Sequence, residues 1–529
     1  MKRTILAAAV AVAPLLAVSA PAVAQVTISG SQSTPVTTAT ANNGQPANVI
    51  VSGNISVTAP GTDLTLDSNN TVSVTGTLGA QNQNNTVGLD IVGGFTGSAS
   101  NSGAININES YTPPADPNHN GLNTGAFAQG SNRVGILVSL PSAGSPVFVG
   151  GITNTGAITV QGNNSEGVSI QAPISGDFLS LVVTPATTPT GSPTIANGSI
   201  SVTGQNAIGL QITPTGGVGG NMRIVNVSAT GPGAQALELN GAVGGFLNIS
   251  GAVVATGYRT TSRQTNPFLA VNYSQMEMQQ GGAAVTLGGN VGAGFIVSAT
   301  PPILSTTNLD LDADGVPDTL QGNGAVVSFG ASPAIQVGAA SGANITVGAF
   351  TASHYISPYN ANTFGVPAQF GMVIQGQVLA QGLFDQLTSP NLLAPVSATA
   401  IQIGGPILIT PPLFSFDSNN QPTSTTPAPA VYGASGQVNI VGGLYNSGTI
   451  SAASFQADAT GIHLGAGANV PTIYNDGAIF ASSTQVNSAT TVTVNGKGIP
   501  NTPAPVAVNV VAIQIDAGAN IPTITNNSG

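Results

Sequence analysis

The tetrapeptide Gly88-Leu89-Asp90-Ile91 decides the fold, because its pattern of a small, a branched apolar, a variable and a second apolar residue returns along the chain. Nine further copies begin at Gly135, Gly167, Ala207, Ala236, Ala284, Ala334, Ala400, Gly461 and Ala512. The distance from one copy to the next is irregular. Self-similarity on this scale predicts a stack of small units, none of which can bury its apolar face alone.

A second pattern, Asn-x-Gly followed two residues later by Ile, comes after several of these copies. It occupies residues 101–105, 154–158, 446–450 and 475–479. Gly, and sometimes Asn, accepts a positive φ that other residues avoid, so the pattern predicts a sharp corner before a new short strand. If the units stack in register, the Asn side chains form hydrogen-bonded ladders and the apolar residues form continuous internal columns.

The composition supports short strands joined by tight turns. The 529 residues are 41% hydrophobic but only 5% charged, with 69 Gly and neither Cys nor Trp. Disordered chains are usually charged and poor in Val and Ile, so wholesale disorder is rejected. Seven basic residues against 18 acidic ones form no basic patch, which excludes nucleic acid as a partner. Without Cys, no disulfide holds the chain together.

Residues 1–24 are predicted to be a secretory signal peptide. Lys2 and Arg3 supply the positive start, an apolar run follows, and Ala22-Val23-Ala24 forms a small-residue cleavage site. The alternative is a membrane anchor, but the run is about 16 residues and contains Pro14, which is short for a span.

Residues 25–80 alternate between apolar and polar positions and are predicted to start the solenoid, and residues 81–529 carry the repeats with insertions. The insertions lie near 109–132, 256–281, 299–323, 351–370, 379–397, 409–435 and 482–506. They concentrate Pro, Tyr, Phe and the scarce charges. Loops of this kind leave a solenoid without disturbing the stack, often on its binding face. Residues 379–387 and part of 269–281 favour short helices.

The predicted fold class is all-β, a right-handed parallel β-helix (solenoid) with irregular loop insertions. An array of antiparallel sandwiches is the alternative, because it also uses short strands and Gly/Asn turns. Such arrays usually have regular domain lengths and aromatic anchors, whereas the spacing here is irregular and aromatic residues make up only 5%. With about two coils in each repeat unit, the rod would be on the order of 100 Å long.

The signal peptide, the cysteine-free polar repeats and the Asn-x-Gly-x-Ile corners together resemble the passenger region of Gram-negative autotransporters. The resemblance is closest to the repetitive surface proteins of alphaproteobacteria, and residues 38–48 and 64–72 share it. It covers most of residues 25–529 with degenerate motifs. It implies a β-helical stalk that is exported through, or displayed on, the outer membrane.

The family ends in a membrane β-barrel of alternating strands, which this sequence does not contain. The chain stops at Gly529, inside what resembles a further Asn-x-Gly corner, and residues 519–524 echo residues 468–473. We therefore expect the chain to be a fragment whose barrel, and with it the attachment to the outer membrane, is encoded downstream.

The sharpest local signal for a ligand is an acidic loop at residues 310–318. Its alternating carboxylates and a Gly at the sixth position resemble the calcium loops of EF-hand-like and thrombospondin type-3-like repeats. The resemblance implies Ca²⁺ ligands at Asp310, Asp312, Asp314, the Val316 carbonyl and Asp318. Gln321 replaces the bidentate Glu at the twelfth position, which favours a weak extracellular site. The alternative is a solvated acidic loop without a metal.

The sequence contains few patterns that are typical of a catalytic site. His119 and His354 lie in insertions, and His463 takes the variable position of a repeat, where an outward side chain is expected. Neither a Gly-x-Ser-x-Gly elbow nor a His-Glu-x-x-His helix is present. A β-helical enzyme acting on polysaccharides is the serious rival. It needs clustered charges with aromatic platforms, and the one basic-aromatic grouping is expected to be an exposed insertion: Tyr258, Arg259, Arg263 and Tyr273.

We expect a non-enzymatic cell-surface passenger, a stalk whose insertions adhere to host or abiotic surfaces, to other cells or to matrix polysaccharide. A structural surface-layer component is the second hypothesis. Adhesion follows here from the family resemblance and the rod shape, not from a recognised site.

Overall fold

The computed structural model describes residues 24–115, 122–185, 192–263, 273–300, 316–350, 370–384, 395–417, 422–424, 426–485, 492–494, 497–499 and 506–527. The predicted signal peptide, most of insertion 351–370 and the loop at 301–315 lie outside these residues. Within them the chain is a parallel β-helix, as the repeats predict. Antiparallel pairing is confined to a few hairpins in this part, so the sandwich alternative is wrong.

Three long sheets form the sides of the coil, and in each the order of strands is the order along the chain. The first sheet contains Gln25–Ile28, Asn48–Val51, Thr71–Val74, Ser98–Asn101, Ile152–Asn154, Phe178–Leu179, Met222–Ile224, Leu247–Ile249, Phe295–Val297, Met372–Ile374, Leu444–Asn446, Thr472–Asn475 and Thr523–Asn526. The second sheet contains Ser31–Gln32, Asn54–Val57, Thr77–Gln81, Ala104–Asn108, Ala157–Gln161, Ser199–Thr203, Asn226–Thr230, Ala252–Thr256, Ala325–Phe329, Gln377–Gln381, Thr449–Phe455 and Ala478–Thr484. The third sheet contains Val36–Thr37, Gly61–Leu66, Thr86–Val92, Arg133–Ser139, Glu166–Ile170, Ile208–Ile212, Gln235–Leu239, Val285–Leu287, Ile335–Val337, Ala398–Ile403, Ala459–Leu464 and Val510–Ile515.

Shorter strands add a fourth side between the third and first sheets, which the sequence did not indicate. They form two three-stranded ladders, Pro173–Ile174 with Gly217–Val218 and Ala242–Val243, and Ile345–Val347 with Val438–Ile440 and Ala468–Asn469. Parallel bridges through Val291 join the two ladders. Hairpins are formed by Leu181–Thr184 with Thr194–Asn197, by Ile407–Thr410 with Val431–Gly433, and by Val492–Val494 with Lys497–Ile499.

Every copy of the repeated tetrapeptide falls on the third sheet, so each repeat unit is one coil. The expectation of two coils per unit is therefore wrong. Twelve spacings of about 4.8 Å along the first sheet give a stack of roughly 60 Å rather than 100 Å. One copy is also offset: Leu210, not Ile208, pairs with Val168, so the in-register tetrapeptide is Gly209-Leu210-Gln211-Ile212.

The core is a set of apolar columns that run along the axis inside the coil. Period-two alternation sends one set of side chains of each strand inward, and register pairing stacks them on their equivalents in the next coil. The column of the third sheet consists of the buried side chains of Leu64, Leu89, Ile136, Val168, Leu210, Leu237, Val285, Ile335, Ile401 and Ile462. Burial of each such side chain contributes about 1.5–3 kcal/mol.

The Asn-x-Gly corners join the first sheet to the second and carry the predicted Asn ladders. The Nδ2 of Asn101 donates to the Oδ1 of Asn154 at 2.7 Å. Farther along, Asn446 donates to Asn475 at 2.6 Å and Asn475 donates to Asn526 at 2.7 Å. These amides pair with one another where the strand ladder ends, as buried polar side chains usually do, although the Oδ1 of Asn446 accepts no hydrogen bond from the described residues.

The role predicted for the corner glycine is wrong, since Gly103 and Gly156 do not have a positive φ. A Cβ on Gly103 would instead overlap the carbonyl oxygen of Gly76 in the preceding coil, and one on Gly156 would overlap that of Gly103. Glycine is required here because successive backbones approach too closely for any side chain.

Left-handed residues occur at the next corner, between the second and third sheets. Asn85, Asn132, Asn164 and Asn206 have φ values of 53°, 58°, 48° and 53°. Their side chains form two rungs, from Asn132 to Asn85 and from Asn206 to Asn164, each 3.0 Å long. Asn tolerates this conformation better than other residues with a Cβ, so it sets the direction in which the chain enters the third sheet.

The predicted short helices are wrong where the structure describes them. The start of 379–387 belongs to the strand Gln377–Gln381, and residues 275–278 form a turn. The one helix in the described ranges is a single 3₁₀ turn, Asp318–Leu320. Helical propensity is overridden here by tertiary contacts, because the first segment pairs with the strands of neighbouring coils and Met278 of the second is buried against aromatic side chains.

Candidate functional site

Four insertions leave the coil at the same corner. The segments 109–132, 256–281, 379–397 and 482–506 each follow a strand of the second sheet and precede a strand of the third. Because equivalent corners of a solenoid lie one above another, all four start on one side of the molecule. We call this side the insertion flank.

The first of these insertions is fixed at its base by a buried ion pair. The Arg133 Nη1 lies 2.8 Å from the Glu109 Oε2, and both side chains are almost completely buried. Arg133 also donates from Nε to the carbonyl of Gln83 and from Nη1 to that of Gln161. The Glu109 carboxylate accepts the backbone N–H groups of residues 129 and 130, each at 2.7 Å. The two ends of the insertion are thereby joined.

An aromatic cluster connects insertions 256–281 and 379–397 to each other and to the segment 409–435. The ring of Phe384 makes edge-on contacts with Tyr258 and Tyr273, with centroids 4.4 and 5.6 Å apart. The other buried members of the cluster are Met278, Leu383, Val396 and Phe414. Desolvation by burial and the nearby Glu277 charge raise the pKa of Tyr273 to about 12, against the lowering effect of the Arg263 charge. The expectation that this tyrosine grouping is exposed is therefore wrong.

Arg259 also belongs to the contacts between insertions. Its guanidinium lies 4.0 Å from the centroid of the Phe127 ring and donates to the carbonyl of Gly125. Burial lowers the pKa of Arg259, and the neighbouring Tyr111 and Glu277 offset part of that effect. Arg263 lies over Phe455 at 4.5 Å. Arg259 and Arg263 thus both face aromatic rings within the protein.

A fifth insertion, 409–435, begins beyond the third sheet and reaches the same flank. The side-chain amide of Gln279 donates to the Phe414 carbonyl at 2.8 Å and accepts its N–H at 2.9 Å. Gln275 donates to the Ser424 carbonyl at 2.8 Å. These bonds join residues that lie 135 and 149 positions apart in the sequence. The sequence did not single out Gln279 or Phe414, and the only signal was the aromatic content of the insertions.

Insertions 109–132, 256–281 and 409–435 meet around a groove of about 610 Å³, which we call the flank groove. Its floor is formed by Phe127, Met276 and Phe414, all at least nine-tenths buried. The exposed polar side chains along its rim are Gln129, Gln205, Ser415 and Asp417. An apolar floor with a few polar groups around it is the usual composition of a ligand site.

The structure describes only part of the proposed calcium loop, and the calcium site stays a prediction. Asp310, Asp312 and Asp314 lie outside the described residues. Val316 packs against Leu181 and Val225, and Asp318 is buried at the start of the 3₁₀ turn. Among the described residues there is no group of three or more His, Asp or Glu side chains placed to hold a metal ion.

His463 takes the position expected from the repeat, in the outward row between Gln402 and Gln514. Its Nε2 lies 2.8 Å from the Asp516 Oδ2. Hydrogen bonds from Gln514 and His463 lower the pKa of Asp516. Elsewhere in the outward rows of this sheet, burial raises the pKa of Asp90 and Glu166.

Comparison with known proteins gave no match to a family model, to a curated protein or to a solved structure. Among the helices of the described ranges, none is long and apolar enough to span a membrane.

Proposed function

We propose that this chain is the exported, non-enzymatic passenger of an autotransporter, a β-helical stalk that contacts surfaces through its insertion flank. The observation that supports this proposal most directly is the convergence of insertions from distant coils. Gln279 and Phe414 join two of them, and Arg259 and Phe127 join another pair. A stack needs none of these contacts to bury its core, whereas a lateral binding surface needs them to hold its shape.

The proposal includes the export route of the chain and the surfaces that it binds. Residues 1–24 direct export, and the stalk is displayed at the outer membrane of a Gram-negative cell. Its partners are host or abiotic surfaces, other cells or matrix polysaccharide. The shortage of cations supports partners without polyanionic character, because the chain carries a formal net charge of −11.

The absence of Cys allows a direct test by blocking one face at a time. A single Cys in place of Ser415 lies at the flank groove. A single Cys in place of Ser98 lies at an exposed position of the first sheet and serves as the control. Each variant is coupled to a bulky polyethylene glycol maleimide and coated on beads. Retention is then measured on cell layers, polysaccharide films and plastic.

We expect the Ser415→Cys conjugate to lose most retention and the Ser98→Cys conjugate to retain beads as the unmodified chain does. Equal retention by both conjugates would contradict adhesion through the flank. It would favour a structural surface-layer role, in which no single face makes the contact.

A further inference from the structure

The flank groove offers side chains, not backbone groups, for recognition. On one wall the carbonyls of Ala126 and Ala128 accept bonds from Tyr111 and Asn163, both at 3.1 Å, and the Gln129 N–H donates to Glu109. Few backbone donors or acceptors therefore remain for a ligand on this wall.

Backbone groups of the opposite wall are also engaged in hydrogen bonds within the protein. The Phe414 N–H donates to Gln279, the N–H of Ala428 donates to Leu413, and that of Thr423 donates to Ser415. An extended peptide that adds to a sheet needs a free strand edge with open backbone groups. Among the described residues these bonds occupy the strand pairs that border the groove, which argues against a peptide strand as the occupant.

The polar side chains of the described lining residues are neutral, with one exception. The amides of Gln129 and Gln205 have no hydrogen-bond partner among the described residues, and both side chains are exposed. Ser415 adds a hydroxyl, and the half-exposed Phe416 adds part of a ring. Asp417 is the one charged residue among the lining residues that the structure describes, and it is acidic. Among the described lining residues there is no basic side chain that could pair with a polyanion.

We propose that the flank groove binds a neutral oligosaccharide. Amides donate to and accept from sugar hydroxyls, and a partly exposed ring packs against the apolar face of a pyranose. The volume of about 610 Å³ lies within the usual range for ligand sites. This proposal deepens the proposed function, on which it rests, by naming the class of ligand that the flank contacts.

The test is calorimetric titration of the full chain with cellohexaose, laminarihexaose and chitohexaose, each a neutral hexasaccharide. Oligogalacturonate and oligolysine serve as charged comparisons. We expect at least one neutral hexasaccharide to bind, with an affinity that changes little between low and high salt because no charge pair is formed.

Two groove variants and one control locate the binding. Gln205→Ala removes a free amide and Phe416→Ala removes the ring, and each should weaken binding about tenfold. Tyr432→Ser changes a hairpin residue outside the groove lining, and it should bind as the unmodified chain does. Unchanged thermal stability of each variant shows that the loss is local.

The proposal is overturned if no neutral hexasaccharide binds, if a charged probe binds more tightly, or if the groove variants bind normally. Bead retention that depends on the insertion flank, without any oligosaccharide binding, would contradict this proposal and leave the proposed function intact. If beads coated with the unmodified chain are retained on no surface while the oligosaccharide still binds, the proposed function is contradicted and this proposal stands.

Discussion

Arg133 and Glu109 form an ion pair of 2.8 Å between two side chains that are almost fully buried, at the point where the first insertion meets the stack. Two charges removed from water in this way depend on each other and on the surrounding hydrogen bonds. Here the pair joins the second sheet to the third across the whole of insertion 109–132.

Removal of one partner of this pair should be costly. We expect Glu109→Gln and Arg133→Met each to lower the free energy of unfolding by about 3–5 kcal/mol, because the remaining group stays buried without its counter-charge. The double variant should lose clearly less than the sum, since the two effects are coupled. Urea unfolding of the four proteins measures this, and strict additivity would contradict the proposed coupling.

Gly103 should not tolerate even one methyl group. Gly103→Ala places a Cβ against the carbonyl oxygen of Gly76, and the two coils must separate. We expect a loss of about 1–3 kcal/mol in stability, typical of overpacking. The neighbouring exposed residue Ser102 is the matched control, because Ser102→Ala should change stability by less than about 0.5 kcal/mol. Equal effects at both positions would rule out the steric explanation.

Stability should fall as pH rises through the range where Asp63 titrates. Burial raises the pKa of this carboxyl from 3.8 to about 7, against the hydrogen bonds from the N–H groups of Val57 and Gly79. The folded chain therefore holds the proton more tightly than the unfolded chain. The contribution of Asp63 to the free energy of unfolding is full below pH 3.8, declines by about 4 kcal/mol up to pH 7 and is then constant.

The variant Asp63→Asn should lose this part of the dependence of unfolding free energy on pH. Urea unfolding between pH 4 and pH 8 measures that dependence. Asp90 and Glu166, whose pKa values burial also raises, contribute equally in both proteins, so the difference reports Asp63. A slope that is identical in the variant would show that Asp63 is ionised in the folded state throughout.

Calcium should stabilise the chain if the loop at 310–318 binds it. We expect a saturating excess of about 100 times Kd to add about 2.7 kcal/mol, seen as a rise in melting temperature that a chelator reverses. Asp312→Asn should abolish the rise, and Mg²⁺ should not replace Ca²⁺. A full response in the variant would place the ion elsewhere, and no response in the unmodified chain would leave the loop as a solvated acidic segment.

The repeated tetrapeptide determined the stack by itself. A small residue before Leu89 or Ile136 meets the backbone of the next coil, and the alternating pattern fixes which side chains point inward. The same pattern also determined the outward row of His463 and the ladder from Asn101 to Asn154. Each of these contacts joins equivalent positions of neighbouring coils, so a repeat in the sequence is enough to predict it.

The tertiary structure alone decided which insertions meet, and therefore where the candidate site lies. The bond between Gln279 and Phe414 spans 135 residues, and Arg259 reaches Gly125 across 134. Segments without a period carry no signal for such pairs, because their contacts depend on how far each loop reaches around the stack. The groove and its free amides at Gln129 and Gln205 follow from that packing, whereas the columns beneath them follow from the alternation of apolar and polar residues.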